Sequence, residues 1–375
     1  MQQSADVVII GGGIQGLSLV YHLTTLGMTD VCLVERGMLG CGSSGLSASV
    51  IGHAFESERM LPLTHWSFEA LLRFHDEIGV DPDYDPIGVL ILAGAGATVE
   101  VQRRCTTLQS LGVESEILPP DEVDRLTPGL NLAGIELAHY LPRDGCLDAH
   151  MMMMGYAGRA RAMGARILEQ VEATGLQIAG DRVIAVQTTT GTIAAGWVVN
   201  AAGARAREVA GWAGLDLPIT NLKRHIVVTG PVATYHRSIP FTYDWEAVWY
   251  MRREGPGLLM GMGAQPVAWD DLRVEPAMVE AIIDYAIHRA PAVEEAGLMT
   301  SWAGLRPMTP DEDPILGRVA HLVNYVNDCG WGGHGVMHAP AAGRALAELI
   351  VMGAAHSLDI TPFAAARFRS TENSP

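Results

Sequence analysis

The sequence predicts an α/β fold in which two kinds of segment alternate along the chain. Three observations predict it. Residues 6–35 read as a strand, a glycine turn, a helix and a second strand, which is a βαβ unit. Glycine turns of the same kind return after an apolar run near Gly203 and before a final helix near Gly330. Between them, over 81–145 and again from 221, the chain changes to short strands mixed with helices. The N-terminal unit is Rossmann-like, and its sheet must collect strands from distant segments.

Taken in order, 6–10 (DVVII) is a buried strand, 11–16 the turn, 17–26 a helix ending near Gly27, and 31–35 (VCLVE) the second strand. A loop rich in Gly and Ser covers 40–52. Residues 61–79 suit one helix, with Phe68, Leu71, Leu72 and Phe74 apolar. A strand at 88–92 and a helix at 98–111 follow, and Pro119-Pro120 opens another helix. The helix through the Met151 to Met154 cluster uses those side chains as core. Strands are expected at 165–168, 172–178, 182–188 and 197–200, the last running into Ala201-Ala202-Gly203. Further strands fall at 225–229, 247–252 and 257–261, a helix at 277–290, and extended chain at 302–307, 314–317 and 322–327. The final helix runs from about Val336 to Met352. The polar stretch 367–375 is expected to fray.

The 375 residues are 49% hydrophobic, enough for a large core and about two domains. A net charge of −17 without a basic stripe argues against nucleic-acid partners and suits solubility. The five cysteines are scattered with no CxxC pair, so neither a disulfide framework nor a metal site is expected. The N-terminus lacks a basic leader and cleavage site, and no apolar run reaches spanning length. A cytoplasmic protein without a membrane span is the expectation. Lys223 is the single lysine, so lysine-assisted chemistry has one candidate.

The chemistry starts at Gly11-x-Gly13-x-x-Gly16. Gly11 permits the tight turn, Gly13 lets backbone approach a pyrophosphate, and Gly16 lets the helix pack on the strand. The helix N-terminus adds free N–H groups and a positive dipole. Glu35 ends the next strand, 19 residues beyond Gly16, where a carboxylate accepts ribose hydroxyls. This unit alone does not separate FAD from NAD. The second small-residue turn, Gly40-Cys41-Gly42-Ser43-Ser44-Gly45, favours the longer cofactor because it can wrap a far phosphate.

GGGIQG, VERG and the GSSG loop, with 164–204, WAGLRPMTPDEDPILG (302–317) and CGWGGHGVMHAPAAGRALAELI (329–350), resemble the D-amino-acid oxidase superfamily of FAD enzymes. Glycine oxidase and the sarcosine oxidase β-subunit and proline dehydrogenase types are the most similar members. The resemblance covers nearly the whole chain, and GLRPMTPDEDPILG is its most specific part. It implies a Rossmann-like FAD-binding domain (1–80, 147–220, 301–375) interleaved with an antiparallel-sheet α+β substrate domain (81–146, 221–300). It puts Ile14 and Gln15 over the pyrophosphate, and Glu35 and Arg36 at the ribose. Ser43, Ser44, Ala48, Ser49 and Val50 line the cofactor, Val171 meets the adenine side, and Ala202 and Gly203 form another cofactor turn. Trp331, Gly332, Gly333, His334, Gly335, Val336 and Met337 run along the flavin. The family often has Gly or Asn near 47–49, where this chain has Ser47-Ala48-Ser49.

Two further sites follow. The last helix starts where the resemblance places the flavin pyrimidine edge, so its N-terminus favours the anionic reduced state. His334 is placed to donate there. Arg306 offers a planar fork for a carboxylate, and the resemblance puts it, with Tyr250, at the substrate carboxylate. The implied reaction is hydride transfer from the α-carbon of an amino acid, secondary, cyclic or N-methyl, to flavin N5, giving an imine. Rival readings are a 2-hydroxy-acid dehydrogenase, an NAD enzyme, and a noncatalytic FAD-bound subunit of a heteromeric complex. The electron acceptor is O2 or another redox carrier. Cys329 does not match the covalent cysteine of the relatives, so noncovalent FAD is expected. Trp245, Trp249, His53 and His225 are further wall candidates.

Overall fold

The computed structural model describes residues 3–55, 57–235 and 239–368. The tail expected to fray lies outside them from 369 on. Arg367, where that stretch begins, is held: its guanidinium donates to both oxygens of Asp311 at 2.9 and 3.1 Å.

The first strand, Gln3–Ile10, lies inside a parallel array. Val31–Val34 pairs with it on one side and Gly191–Asn200 on the other. Arg166–Leu168 and Leu322–Cys329 extend the array, both parallel. Ile315–Val319, Arg182–Thr188 and Ala173–Ala179 add antiparallel pairs. Val7, Val8 and Ile9 are all fully buried, as a strand covered on both faces requires. The helix Ile14–Thr25 packs against the last helix, Gly335–Met352. Ser18 Oγ donates to the Ala339 carbonyl at 2.7 Å. Gly343 makes this approach possible, since a Cβ there would sit 2.4 Å from Ser18 Oγ and 2.9 Å from Ser18 backbone.

The second sheet runs Leu298–Met308, Thr220–Thr229, Gly257–Val267, Trp249–Glu254, Phe241–Asp244, Val89–Ala93, Leu137–Leu141, Glu116–Leu118. Every step is antiparallel except Phe241–Asp244 with Val89–Ala93. Successive side chains therefore alternate between faces. One face carries Val227, Trp249, Met251 and Met260 into a core shared with the helix Pro276–Arg289. The opposite face carries Arg224, Ile226, Tyr250 and Arg306 toward a cavity.

Three expectations change. The helix foreseen over 61–79 is two, Leu61–Leu72 and Phe74–Ile78, broken at Arg73 (φ −99°, ψ 1°) and ended by Gly79 at φ 82°. The division expected at 300/301 falls inside Leu298–Met308, which pairs with Thr220–Thr229 along its whole length. Val50–Ile51 also pairs with Gly145–Cys146, tying the glycine-serine loop to the edge of the second segment. Among the described residues no helix is long and apolar enough to cross a membrane.

Candidate active site

Residues from both sheets line one cavity of about 500 Å³. Its first wall is the 11–16 turn. Gly11 adopts φ +118°, and a Cβ there would lie 2.3 Å from the Ala201 carbonyl oxygen. A Cβ on Gly16 would lie 2.1 Å from the Gly11 oxygen. Glu35 spans the turn and the following loop: Oε2 accepts from Gly12 N at 2.7 Å and Oε1 from Gly37 N at 2.8 Å. Ser44 Oγ accepts from Ile14 N at 3.1 Å, which folds the 40–45 loop over the helix start. That helix has no side-chain cap from Gly13 and no acid in its first turn. Its other first-turn N–H groups lack intrahelical partners and favour an anion. Gln15 Nε2 donates to the Gly335 carbonyl at 2.8 Å, so the two helix starts are joined.

The structure brings most of the sequence-predicted residues to this cavity. From the first turn come Gly11, Gly13, Ile14 and Gln15, and beside them Glu35 and Arg36. The loop supplies Ser43, Ser44, Ala48, Ser49 and Val50, and the second glycine turn Ala202 and Gly203. The third supplies Trp331, Gly332, Gly333, His334, Gly335, Val336 and Met337. Gly16 packs beneath the turn instead. Val171 does not line the cavity either: its N–H donates to the Glu35 carbonyl at 2.9 Å, and its side chain joins the core around Val34 and Ala173. Among the described residues no cluster of His, Cys, Asp or Glu could hold a metal ion.

The opposite wall belongs to the second sheet. Tyr250 stacks on Phe241 at 5.5 Å between ring centres. Its cross-strand neighbour Gly261 has no side chain, and a Cβ there would meet the Tyr250 hydroxyl at 2.4 Å. The ring can thus lie flat across the next strand. Arg306 abuts the third glycine turn, where a Gly333 Cβ would fall 2.6 Å from its Cζ. Burial, then the charge of Arg224, lowers the Arg306 pKa to about 10, so the group is still a cation at neutral pH. Among the described residues no hydrogen bond or ion pair engages it.

Sequence reasoning missed Arg224 and Tyr243, which also line this wall. Of the four further wall candidates only Trp245 reaches it. Trp249 lies on the helix-covered face, His53 pairs with Asp144 at 3.1 Å, and His225 Nε2 accepts from Glu275 N at 3.0 Å. Lys223 points away from the cavity, buried against Asp271 (3.3 Å) and Glu275 (2.5 Å). Cys329 also points away, into an apolar cluster with Ile219 and Ile315.

His334 precedes the last helix, and burial above all pulls its pKa to about 3, so its imidazole is neutral. His338, one turn on, bonds Thr64 Oγ1 and the His334 carbonyl, both at 2.9 Å, and stacks on Trp331. Asp328 Oδ1 accepts from Trp331 Nε1 at 2.8 Å. Burial lifts the Asp328 carboxyl to about 7. The folded protein therefore holds a proton there that the unfolded chain releases near pH 4. Stability should fall as pH rises from about 4 to about 7 and level off above. Asp328→Asn keeps an oxygen for Trp331 and removes this slope. Thermal midpoints of both proteins across that range should diverge as pH rises, and parallel curves would show that Asp328 titrates as an ordinary carboxyl.

These walls fit FAD. Two glycines stand where no Cβ has room, Glu35 is fixed at the end of the second strand, and an anion-favouring helix start faces the cavity. A family profile described as FAD dependent oxidoreductase matches residues 6–349. The chain is 30% identical to the sarcosine oxidase subunit beta of Arthrobacter sp, covering 98% of this chain and 92% of that one. It is 29% identical to human mitochondrial sarcosine dehydrogenase over 97% of its own length but spans only 42% of that protein. Among solved structures it resembles L-proline dehydrogenase from P. horikoshii, with a TM-score of 0.90 and 28% identity over 98% of both chains. Glycine oxidase from Geobacillus kaustophilus gives a TM-score of 0.90 at 26% identity, over 98% of this chain and 100% of that one. With the glycine cradle, the Glu35 clamp and a match over 6–349, the chain belongs to the FAD-dependent oxidoreductase family.

Proposed function

We propose that this chain oxidises a small amino acid at its C–N bond to an imine, with secondary, N-methyl or cyclic amines preferred. The observation that carries the reading is Arg306, a cation on the cavity wall with no acidic partner among the described residues. A substrate carboxylate supplies that partner through two parallel hydrogen bonds to the guanidinium. Tyr250 adds a hydroxyl from the same face of the sheet, on the strand Trp249–Glu254.

FAD, when bound, supplies the two-electron oxidation. Gly11, Gly13, Ile14 and Gln15 hold its pyrophosphate with Gly16 packed beneath the turn, Glu35 and Arg36 hold its ribose, and Val171 backs the Glu35 backbone. Ser43, Ser44, Ala48, Ser49, Val50, Ala202 and Gly203 line its length. The 331–337 turn and the uncapped start of Gly335–Met352 favour negative charge at the far end. His334, neutral, offers a hydrogen bond there without adding a competing cation. Cys329, buried in an apolar cluster away from the cavity, supports noncovalent attachment. Positioning by Arg306 and Tyr250 can supply much of the rate, and a bound amine loses its proton to solvent.

A second reading, a subunit that works within a heteromeric complex, is favoured by the 92% coverage of a protein named as a subunit. Turnover by the isolated chain would remove it. The test of the first reading is anaerobic bleaching of the flavin band near ~450 nm by amino acids, N-methyl amino acids and 2-hydroxy acids. Reduction by the amines is expected. Reduction by hydroxy acids alone would overturn the assignment. Reoxidation by O2 or by an added carrier then identifies the acceptor.

A further inference from the structure

We propose that the cavity accepts an amino acid carrying a second acidic group, and that Arg224 binds that group. The inference rests on the proposed amino-acid reading of the same site and narrows its substrate class.

Arg224 and Arg306 belong to neighbouring antiparallel strands. Leu222 pairs with Arg306 and Arg224 with Gly304, so the two arginines are diagonal neighbours on one face. Diagonal positions lie about 7–8 Å apart at the backbone, within mutual reach of long side chains. Gly304 and Gly261 leave that face without side chains at two positions, and both arginines line the cavity. Arg224 is only 8% exposed, and its Nε is buried with no hydrogen-bond partner among the described residues. Its guanidinium lies 5.8 Å from the centre of the Tyr250 ring.

Two cations thus face one small space, each in the field of the other, in a chain whose net charge is −17. Among the described residues, the acids at the cavity do not answer them. Glu35 is committed to Gly12 and Gly37. Asp328 bonds Trp331, and burial favours its neutral form. Glu312 is exposed and is the weakest of the groups felt by Arg306. The third arginine at this wall, Arg104, is already bonded to Glu100 at 2.9 Å. A buried, unpaired guanidinium is costly. One monocarboxylate satisfies one fork, whereas a diacid satisfies both and removes the repulsion between them. Tyr243 and Tyr250 stand beside the pair with their hydroxyls, and Trp245 and Phe55 close the space around them.

The test uses the FAD-loaded protein and two unreactive thioethers of matched shape, methylthioacetate with one carboxylate and thiodiacetate with two. Binding is read from the perturbed flavin spectrum. Thiodiacetate is expected to bind about tenfold or more tightly, the worth of an added charge-assisted bond. Arg224→Gln should abolish that difference, lowering thiodiacetate affinity by a far larger factor than methylthioacetate affinity. Equal affinities in the parent protein would overturn the proposal. So would loss of both ligands by the same factor in Arg224→Gln, which would mean that the two arginines share one carboxylate. Anaerobic reduction by N-methylglycine and by N-carboxymethylglycine separates this inference from the broader one. If thiodiacetate binds preferentially but neither amine bleaches the flavin, the acidic subsite stands and the amine-oxidising reading falls. If N-methylglycine bleaches it and the diacids gain nothing, the reverse holds.

Discussion

Replacing Arg306 with alanine is expected to raise KM for the amino-acid substrate by about a hundredfold or more. A hydrogen bond to a charged group contributes about 1.5–3 kcal/mol, and the fork offers two. A loss of about 3 kcal/mol is roughly two powers of ten. The flavin content should not change, because Arg306 stands on the second sheet and not in the glycine cradle. The folded protein should not weaken either. Removing one partner of a buried ion pair costs about 3–5 kcal/mol, but Arg306 has no such partner among the described residues, and its removal relieves Arg224. A steep fall in thermal stability with unchanged KM would make Arg306 a structural residue and end the substrate assignment. Arg306→Lys should recover only part of the loss, because an ammonium is a point charge without a planar fork.

The second large effect is expected at Gly11. Its φ of +118° lies in a region open essentially to glycine alone, and a side chain there costs on the order of 1–3 kcal/mol. The clash adds to this. An alanine Cβ would sit 2.3 Å from the Ala201 oxygen and 2.7 Å from the Ala201 carbonyl carbon, both backbone atoms that no rotamer change can move. Gly11 N donates to the Val34 carbonyl and Gly12 N to Glu35, so any shift of the turn disturbs both the strand and the carboxylate clamp. Gly11→Ala should therefore purify with little or no flavin. The measurement is flavin absorbance per chain after gel filtration, with circular dichroism to show that the sheets persist. Full flavin retention would remove this turn from the cofactor site.

What could be read from the sequence and what could not divides along a physical line. The turn at 11–16, Glu35 and the start of the last helix depend on local chain geometry, where glycine spacing and strand ends decide the outcome. Arg224 depends on register. It sits beside Lys223, and only the pairing of Leu222 with Arg306, more than eighty residues away, decides which of the two faces the cavity. Trp249 and Tyr250 pose the same problem two strands over, and the helix Pro276–Arg289 decides which one is covered. Val171 shows the limit of resemblance: one backbone hydrogen bond to Glu35 turns its side chain into the core. The break at Arg73 had no proline or glycine to announce it.

Lys223 has a use that its chemistry does not suggest. It lies in a strand flanked on both sides, with its amine sealed by two carboxylates. A protease specific for lysine has one address in the whole chain, and the native sheet hides it. Cutting there requires the strand to leave its neighbours, so the appearance of two fragments meeting at Lys223 times the opening of that sheet. The protein thereby carries a built-in, single-site clock for the unfolding of the wall that holds Arg224 and Arg306.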